Sequence, residues 1–121
     1  ESPSEIALVD SSSTALAKAI YSVKLRAGDV LLSVGESEYA ANAIALIQHA
    51  RRHGAHVRFV PGLERGGVDL EALRQALEHG QRAHASAKPG RVRAVCVTHV
   101  PTNGGIVYDA KAVGTLIGNV C

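Results

Sequence analysis

Arg91 to Val107 reads RVRAVCVTHVPTNGGIV, an apolar run that stops abruptly at Pro-Thr-Asn-Gly-Gly. Ala94, Val95, Cys96 and Val97 in succession leave no solvated face, and β-branched residues fit a pleated surface. The spacing therefore predicts a buried parallel strand over Arg93–Val97, central in its sheet. Pro101 cannot continue a central ladder, and Gly104-Gly105 lets the chain turn or approach a ligand closely. Thr98, His99, Thr102 and Asn103 are accordingly expected on a loop at the strand's C-terminal edge, where open α/β sheets bind their ligands.

Upstream, Glu5–Val9 (EIALV) is expected as a first strand, followed by Asp10-Ser11-Ser12-Ser13-Thr14 and a helical pattern of Leu16, Ile20 and Val23. Small hydroxyl residues at the start of a helix serve either as ordinary N-caps or as part of an anion cradle at the positive end of the helix. A turn at Arg26–Asp29 leads into a strand over Val30–Val34. A helix from Glu36–Glu38 to about His53 follows, with Ala40, Ile44 and Ile47 on one face and a stop at Gly54. His49 and His53 stand four apart, a spacing that metals use, but no third ligand accompanies them, and a solvated helix face is the expectation.

His56–Val60 is the next strand, closed by Pro61-Gly62. Leu70, Leu73 and Leu77 then mark an amphipathic helix from near Asp69 to Gly80. Gln81–Gly90 is expected as a surface loop. Asp109 can cap a last helix over Ala110–Ile117, with Val113 and Leu116 inward, and a further strand is expected from about Gly118 to Cys121. Strand and helix alternating four times argue a parallel sheet covered on both faces, so the fold class is α/β, a three-layer α/β/α arrangement with a mostly parallel sheet.

The bulk numbers agree with one globular domain over residues 1–121. The chain is 46% hydrophobic and 20% charged, and its 13 Lys+Arg against 11 Asp+Glu leave a net charge of +2 with the basic residues scattered. That is no electrostatic footprint for nucleic acid or an anionic membrane. No apolar run is long enough to span a bilayer, and the first residues, ESPSEIALVD, are acidic rather than signal-like, so a cytoplasmic address is expected. The two cysteines form neither a disulfide framework nor a zinc spacing, and Cys96, inside an apolar strand, is expected to pack rather than react.

Five stretches taken together, EIALVDSSSTALAKAI, AGDVLLSVGESEYAANAIAL, GAHVRFVP, GVDLEAL and AVCVTHVPTNGGIV, carry a resemblance. In order and approximate spacing they resemble the large domain of the class-V aminotransferases, the pyridoxal-phosphate enzymes that include cysteine desulfurases and isopenicillin-epimerase-like proteins. The resemblance implies a partial fold-type-I large domain with pyridoxal phosphate as the family's cofactor. It puts Ser12 and Ser13 where relatives hold the cofactor phosphate at a helix N-terminus. It puts Tyr39, flanked by Glu38 and Asn42, where relatives place an aromatic over the cofactor ring. Thr102 or Asn103 falls where relatives hydrogen-bond the ring hydroxyl, and His99 precedes that loop either as a site residue or as a structural partner of the backbone.

The resemblance also implies parts that these residues do not supply: the Asp that pairs with the pyridine nitrogen and the Lys that anchors the cofactor covalently. None of Lys18, Lys24, Lys88 and Lys111 lies in the family's lysine motif. In the family sheet the strand matching Ile6–Val9 lies away from the other three, which leaves an apolar edge on the strand of Val92–Val97. Three functional readings follow. The first is a truncated piece of a pyridoxal-phosphate enzyme with a partial cofactor site and no turnover by itself. The second is a binding module for a phosphorylated small molecule. The third is an interaction protein that self-associates through its exposed sheet edge.

Overall fold

The computed structural model describes residues 2–35, 38–80, 90–102 and 104–120. A short 3-10 turn, Pro3–Glu5, precedes α1 (Ser12–Ser22), β1 (Val30–Val34), α2 (Ala40–Arg52), β2 (His56–Val60), α3 (Leu70–Gly80), β3 (Val92–Val97) and α4 (Ala110–Val120). The three strands form one parallel sheet in the order β2-β1-β3. Right-handed crossovers through helices are the usual way to join such strands, and here the helices cover both faces.

β1 is the centre, and its sequence VLLSV is buried at every position. The period-two alternation of a strand sends Val30, Leu32 and Val34 into a cluster with Val60, Leu73, Leu77 and Val113, the face covered by α3 and α4. Leu31 points the other way, joining Ile20, Leu25, Leu46, Ala50 and Ala55 beneath α1 and α2. Burying one such aliphatic side chain contributes about 1.5–3 kcal/mol, so these two clusters are the main favourable terms holding the layers together.

The strand of Val92–Val97 lies at an edge of this sheet, not at its centre as its sequence suggests, and it is mostly half-buried. Its ladder with β1 skips a residue: Val30 pairs with Val92 but Leu31 with Ala94, so Arg93 bulges out. Asp29 fixes that start. Its buried carboxylate accepts the backbone N–H of Arg26 at 2.9 Å and of Arg91 at 3.1 Å. Gly90 is required alongside, because a Cβ there would overlap the Gly28 carbonyl.

Four expectations are corrected. Ile6–Val9 forms no strand: both flanks of β1 are taken, and Ile6 and Leu8 stand 68% and 96% exposed without a ladder partner. Gly118–Val120 continues α4 rather than starting a strand, with Val120 packed on the α3–α4 core. In α2, Ile44 and Ile47 face solvent, while Ala45, Leu46, His49 and Ala50 face inward. His49 is therefore buried, not solvated; its Nε2 lies 2.9 Å from the Val23 carbonyl oxygen and ties α2 to the end of α1. The expected loop at 81–89 lies outside the described residues.

Candidate functional site

The polar residues gather at the C-terminal edge of the sheet, and the local sequence explains how each is positioned. α1 begins because Ser11 is extended and its Oγ accepts the Thr14 N–H at 3.1 Å, while its carbonyl takes Ala15 N–H at 2.9 Å. Any helix start leaves its first amides without intrahelical acceptors; here those are Ser12 and Ser13, at the positive end of the helix dipole. The capping reading of these serines thus falls on Ser11, which leaves Ser12 and Ser13 exposed on the first turn.

α2 begins at Tyr39, an N-cap whose own side chain makes no capping bond. Glu38 replaces it: its Oε1 accepts the Tyr39 N–H at 2.9 Å. The same oxygen accepts Asn42 Nδ2 at 2.8 Å and Thr98 Oγ1 at 2.9 Å, and Oε2 takes the Ser33 hydroxyl at 3.3 Å. One half-buried carboxylate thereby joins β1, the start of α2 and the end of β3.

A cleft of about 440 Å³ opens above this junction, lined by Ser12, Ser13, Tyr39, Asn42, Thr98 and Thr102, with Leu16 at its base. Four of the five residues singled out from sequence, Ser12, Ser13, Tyr39 and Thr102, come together in it from three separated segments. Asn103 lies outside the described residues. His99 does not line the cleft; its carbonyl accepts the Tyr108 N–H at 2.8 Å, which closes the loop after β3. Tyr108 is buried and its hydroxyl rests against Gly35, whose φ of +89° and lack of a side chain allow the approach. Thr98 was expected at this edge and Asn42 beside Tyr39 without a role of their own, and Ser33 was not picked out. The available signal was Glu38, an acidic residue just past a buried strand, where a carboxylate needs donors.

Beside the cleft, an apolar hollow of about 340 Å³ runs between α1 and β3, lined by Leu16, Ile20, Val23, Ala94 and Cys96, with Glu38 at its rim. Burial, and secondarily the Glu38 charge, push the Cys96 thiol up to about 11, the state of a packing cysteine rather than a nucleophile. Among the described residues no group of His, Cys, Asp and Glu is arranged to hold a metal, and no helix is long and apolar enough to cross a membrane.

The family model of the class-V aminotransferases matches residues 1–120. The chain belongs to this family. Solved structures agree on the fold of this class-V chain. The cysteine desulfurase of Thermococcus onnurineus NA1 superposes with a TM-score of 0.72 at 16% identity, over 88% of this chain and 24% of that one. The cystine C–S lyase C-DES, in a variant with glycine covalently linked to its PLP cofactor, gives 0.69 at 19% identity over 88% and 25%. An alanine–glyoxylate aminotransferase from Nostoc sp. gives 0.60 at 28% identity over 89% and 25%. The class-V chain thus spans about a quarter of the length of these structures. No curated protein matches it in sequence at a significant level.

The cleft's donor set fits pyridoxal phosphate. Two unpaired amides and two hydroxyls at a helix N-terminus suit a phosphate, an exposed tyrosine ring at the rim suits a planar heterocycle, and the volume lies within the usual range for small-molecule sites.

Proposed function

We propose that this chain supplies the phosphate-holding and ring-facing part of a pyridoxal-phosphate site in a class-V fold, and that these residues bind and orient without turning over substrate by themselves. The observation that carries the reading is that Ser12, Ser13, Tyr39 and Thr102, far apart in sequence, line one cleft at the C-terminal edge of a parallel sheet. Ser12 and Ser13 would hold the phosphate through their amides and hydroxyls. Tyr39 would face the cofactor ring, and Thr102 or Asn103 would hydrogen-bond its hydroxyl. Bound pyridoxal phosphate supplies an electron sink for bonds at an amino-acid Cα. Among the described residues no lysine lines the cleft. An isopenicillin-epimerase-like membership within the family, and a cytoplasmic address consistent with the free thiol of Cys96, go with this reading.

Titration of the purified chain with pyridoxal phosphate tests it, followed by borohydride trapping and mass spectrometry. Saturable binding is expected with no trapped lysine adduct. Ser13→Asp, whose charge favours the helix start but repels phosphate, should weaken binding about tenfold or more. Absence of binding refutes the reading, and an adduct on one specific lysine refutes its non-catalytic half. Binding of many phosphorylated compounds with equal affinity would instead support a general phosphate-binding module.

One observation favours a second role in assembly. Among the described residues no strand pairs with the outer edge of β3, and Ile6 and Leu8 stand exposed ahead of α1. Self-association of two copies through that edge would appear as a concentration-dependent dimer in sedimentation velocity, and a monomer at all concentrations refutes it.

A further inference from the structure

Glu38 makes more bonds than capping α2 requires. Its Oε1 takes the Tyr39 N–H, Asn42 Nδ2 and Thr98 Oγ1 at 2.8–2.9 Å, and its Oε2 takes the Ser33 hydroxyl at 3.3 Å. A carboxylate only accepts hydrogen bonds. Asn42 must therefore present its NH2 to Glu38, which uses one of its two N–H groups and leaves Oδ1 as the free acceptor of its amide beside the second N–H. Thr98 must give Glu38 its hydroxyl proton, which leaves lone pairs. Both residues line the cleft. The opposite side of the same cleft is the start of α1, where the amides of Ser12 and Ser13 donate.

We propose that Glu38 is a positioning residue that sets the hydrogen-bond polarity of the cleft, making Asn42 and Thr98 an acceptor wall that selects a ligand bearing an ammonium or N–H donor together with its phosphate. The choice of ligand rests on the cofactor-site reading, whereas the polarity rests on the Glu38 bonds alone. A purely structural Glu38 would support every ligand of the cleft equally. A polarising Glu38 discriminates between ligands that differ in one donor.

Two compounds make that comparison: pyridoxamine phosphate, with an ammonium group, and pyridoxine phosphate, with a hydroxyl on the same carbon. Inorganic phosphate reports on the α1 end. In Glu38→Gln the amide oxygen still accepts the bonds of Oε1 and the new NH2 can meet the Ser33 hydroxyl, so the arrangement stays while the charge goes. Glu38→Ala removes both. Calorimetry on the unaltered chain should show pyridoxamine phosphate bound about tenfold more tightly than pyridoxine phosphate. Glu38→Gln, which keeps an acceptor in the place of Oε1, should retain most of that preference, and Glu38→Ala should abolish it, while inorganic phosphate binds all three chains alike.

Equal affinity for the two compounds, or an undiminished preference in Glu38→Ala, overturns the proposal even if both compounds bind. The cofactor reading fails separately, if Ser13→Asp leaves the binding of all three probes unchanged. If none of them binds, the ligand selection is overturned, and 15N NMR of the Asn42 side-chain amide decides the polarity. Its two protons should be resolved from the free-amide position and return there in Glu38→Ala. A free-amide signal in the unaltered chain would refute the polarity as well.

Discussion

Removing the Asp29 carboxylate should be among the most damaging single changes outside the hydrophobic clusters. Asp29 is 7% exposed and accepts two backbone N–H groups, from Arg26 at 2.9 Å and Arg91 at 3.1 Å. Each hydrogen bond to a charged acceptor contributes about 1.5–3 kcal/mol. Arg26 and Arg91 are exposed residues, so water can satisfy part of what is lost, and Asp29→Ala is expected to cost about 2–4 kcal/mol. That is a large share of a domain stability of about 5–15 kcal/mol. The Arg93 guanidinium also approaches Asp29, but at 3.9 Å and with its side chain 41% exposed, so Arg93→Ala should cost below about 1 kcal/mol. Urea unfolding of both variants, with the slope checked against the parent, measures the two costs. Amide exchange at Arg26 and Arg91 should accelerate in Asp29→Ala alone. Equal costs for the two variants would refute the view that backbone capture, rather than the ion pair, ties the start of β1 to the bulge of β3.

Three further outcomes are expected. Gly35→Ala should destabilise by about 1–3 kcal/mol in thermal or urea unfolding, because φ is +89° there and a Cβ would stand 2.7 Å from the Tyr108 hydroxyl; a neutral result would mean that the loop after β3 is not seated on Gly35. Hydrogen bonds from Arg74, then Gln75, hold the Glu71 carboxyl near 2 rather than 4.5. A carboxyl lowered on folding contributes stability that is present above its unfolded value and lost as pH falls from about 4.5 through about 2, so NMR titration should find its midpoint below 4.5 and rising with salt, as suits an exposed pair. Cys96, raised from 9.0 to about 11, should alkylate roughly a hundredfold more slowly at pH 8 in the folded chain than in urea, with peptide mapping to separate it from Cys121.

Much of the fold was legible because its elements carry local signals. VLLSV and HVRFV are short apolar runs bounded by turn residues, and β1 and β2 occupy the expected positions. Asp69 and Asp109 cap α3 and α4 through Ala72 N–H and Ala112 N–H, each at 2.9 Å. The failures are those of pairing and facing, which no local pattern encodes. EIALV has the composition of a strand, but a strand exists only with a partner, and β2 and β3 already occupy both sides of β1. α2 carries apolar residues on two faces, and packing against α1 and β1 chose Leu46 and Ala50 over Ile44 and Ile47. At the cleft, Ser12, Ser13, Tyr39 and Thr102 were found through family resemblance. Thr98 was expected at the ligand-binding edge and Asn42 beside Tyr39, but their bonds to Glu38, sixty and four residues away in sequence, became visible only in the fold.

VRAVCV is a sequence suited to burial on both faces, yet among the described residues only its inner edge is paired, and an apolar hollow of about 340 Å³ lies between it and α1. The walls of the cleft therefore differ in their support. Ser33 is fully buried in β1, the best-packed strand, and Glu38 and the start of α2 are tied to it. Thr98, at the end of the edge strand, joins the site through its bond to Glu38 across that junction. The side of the cleft furthest from the packed core is thus the side whose hydrogen-bond polarity depends most on a single carboxylate.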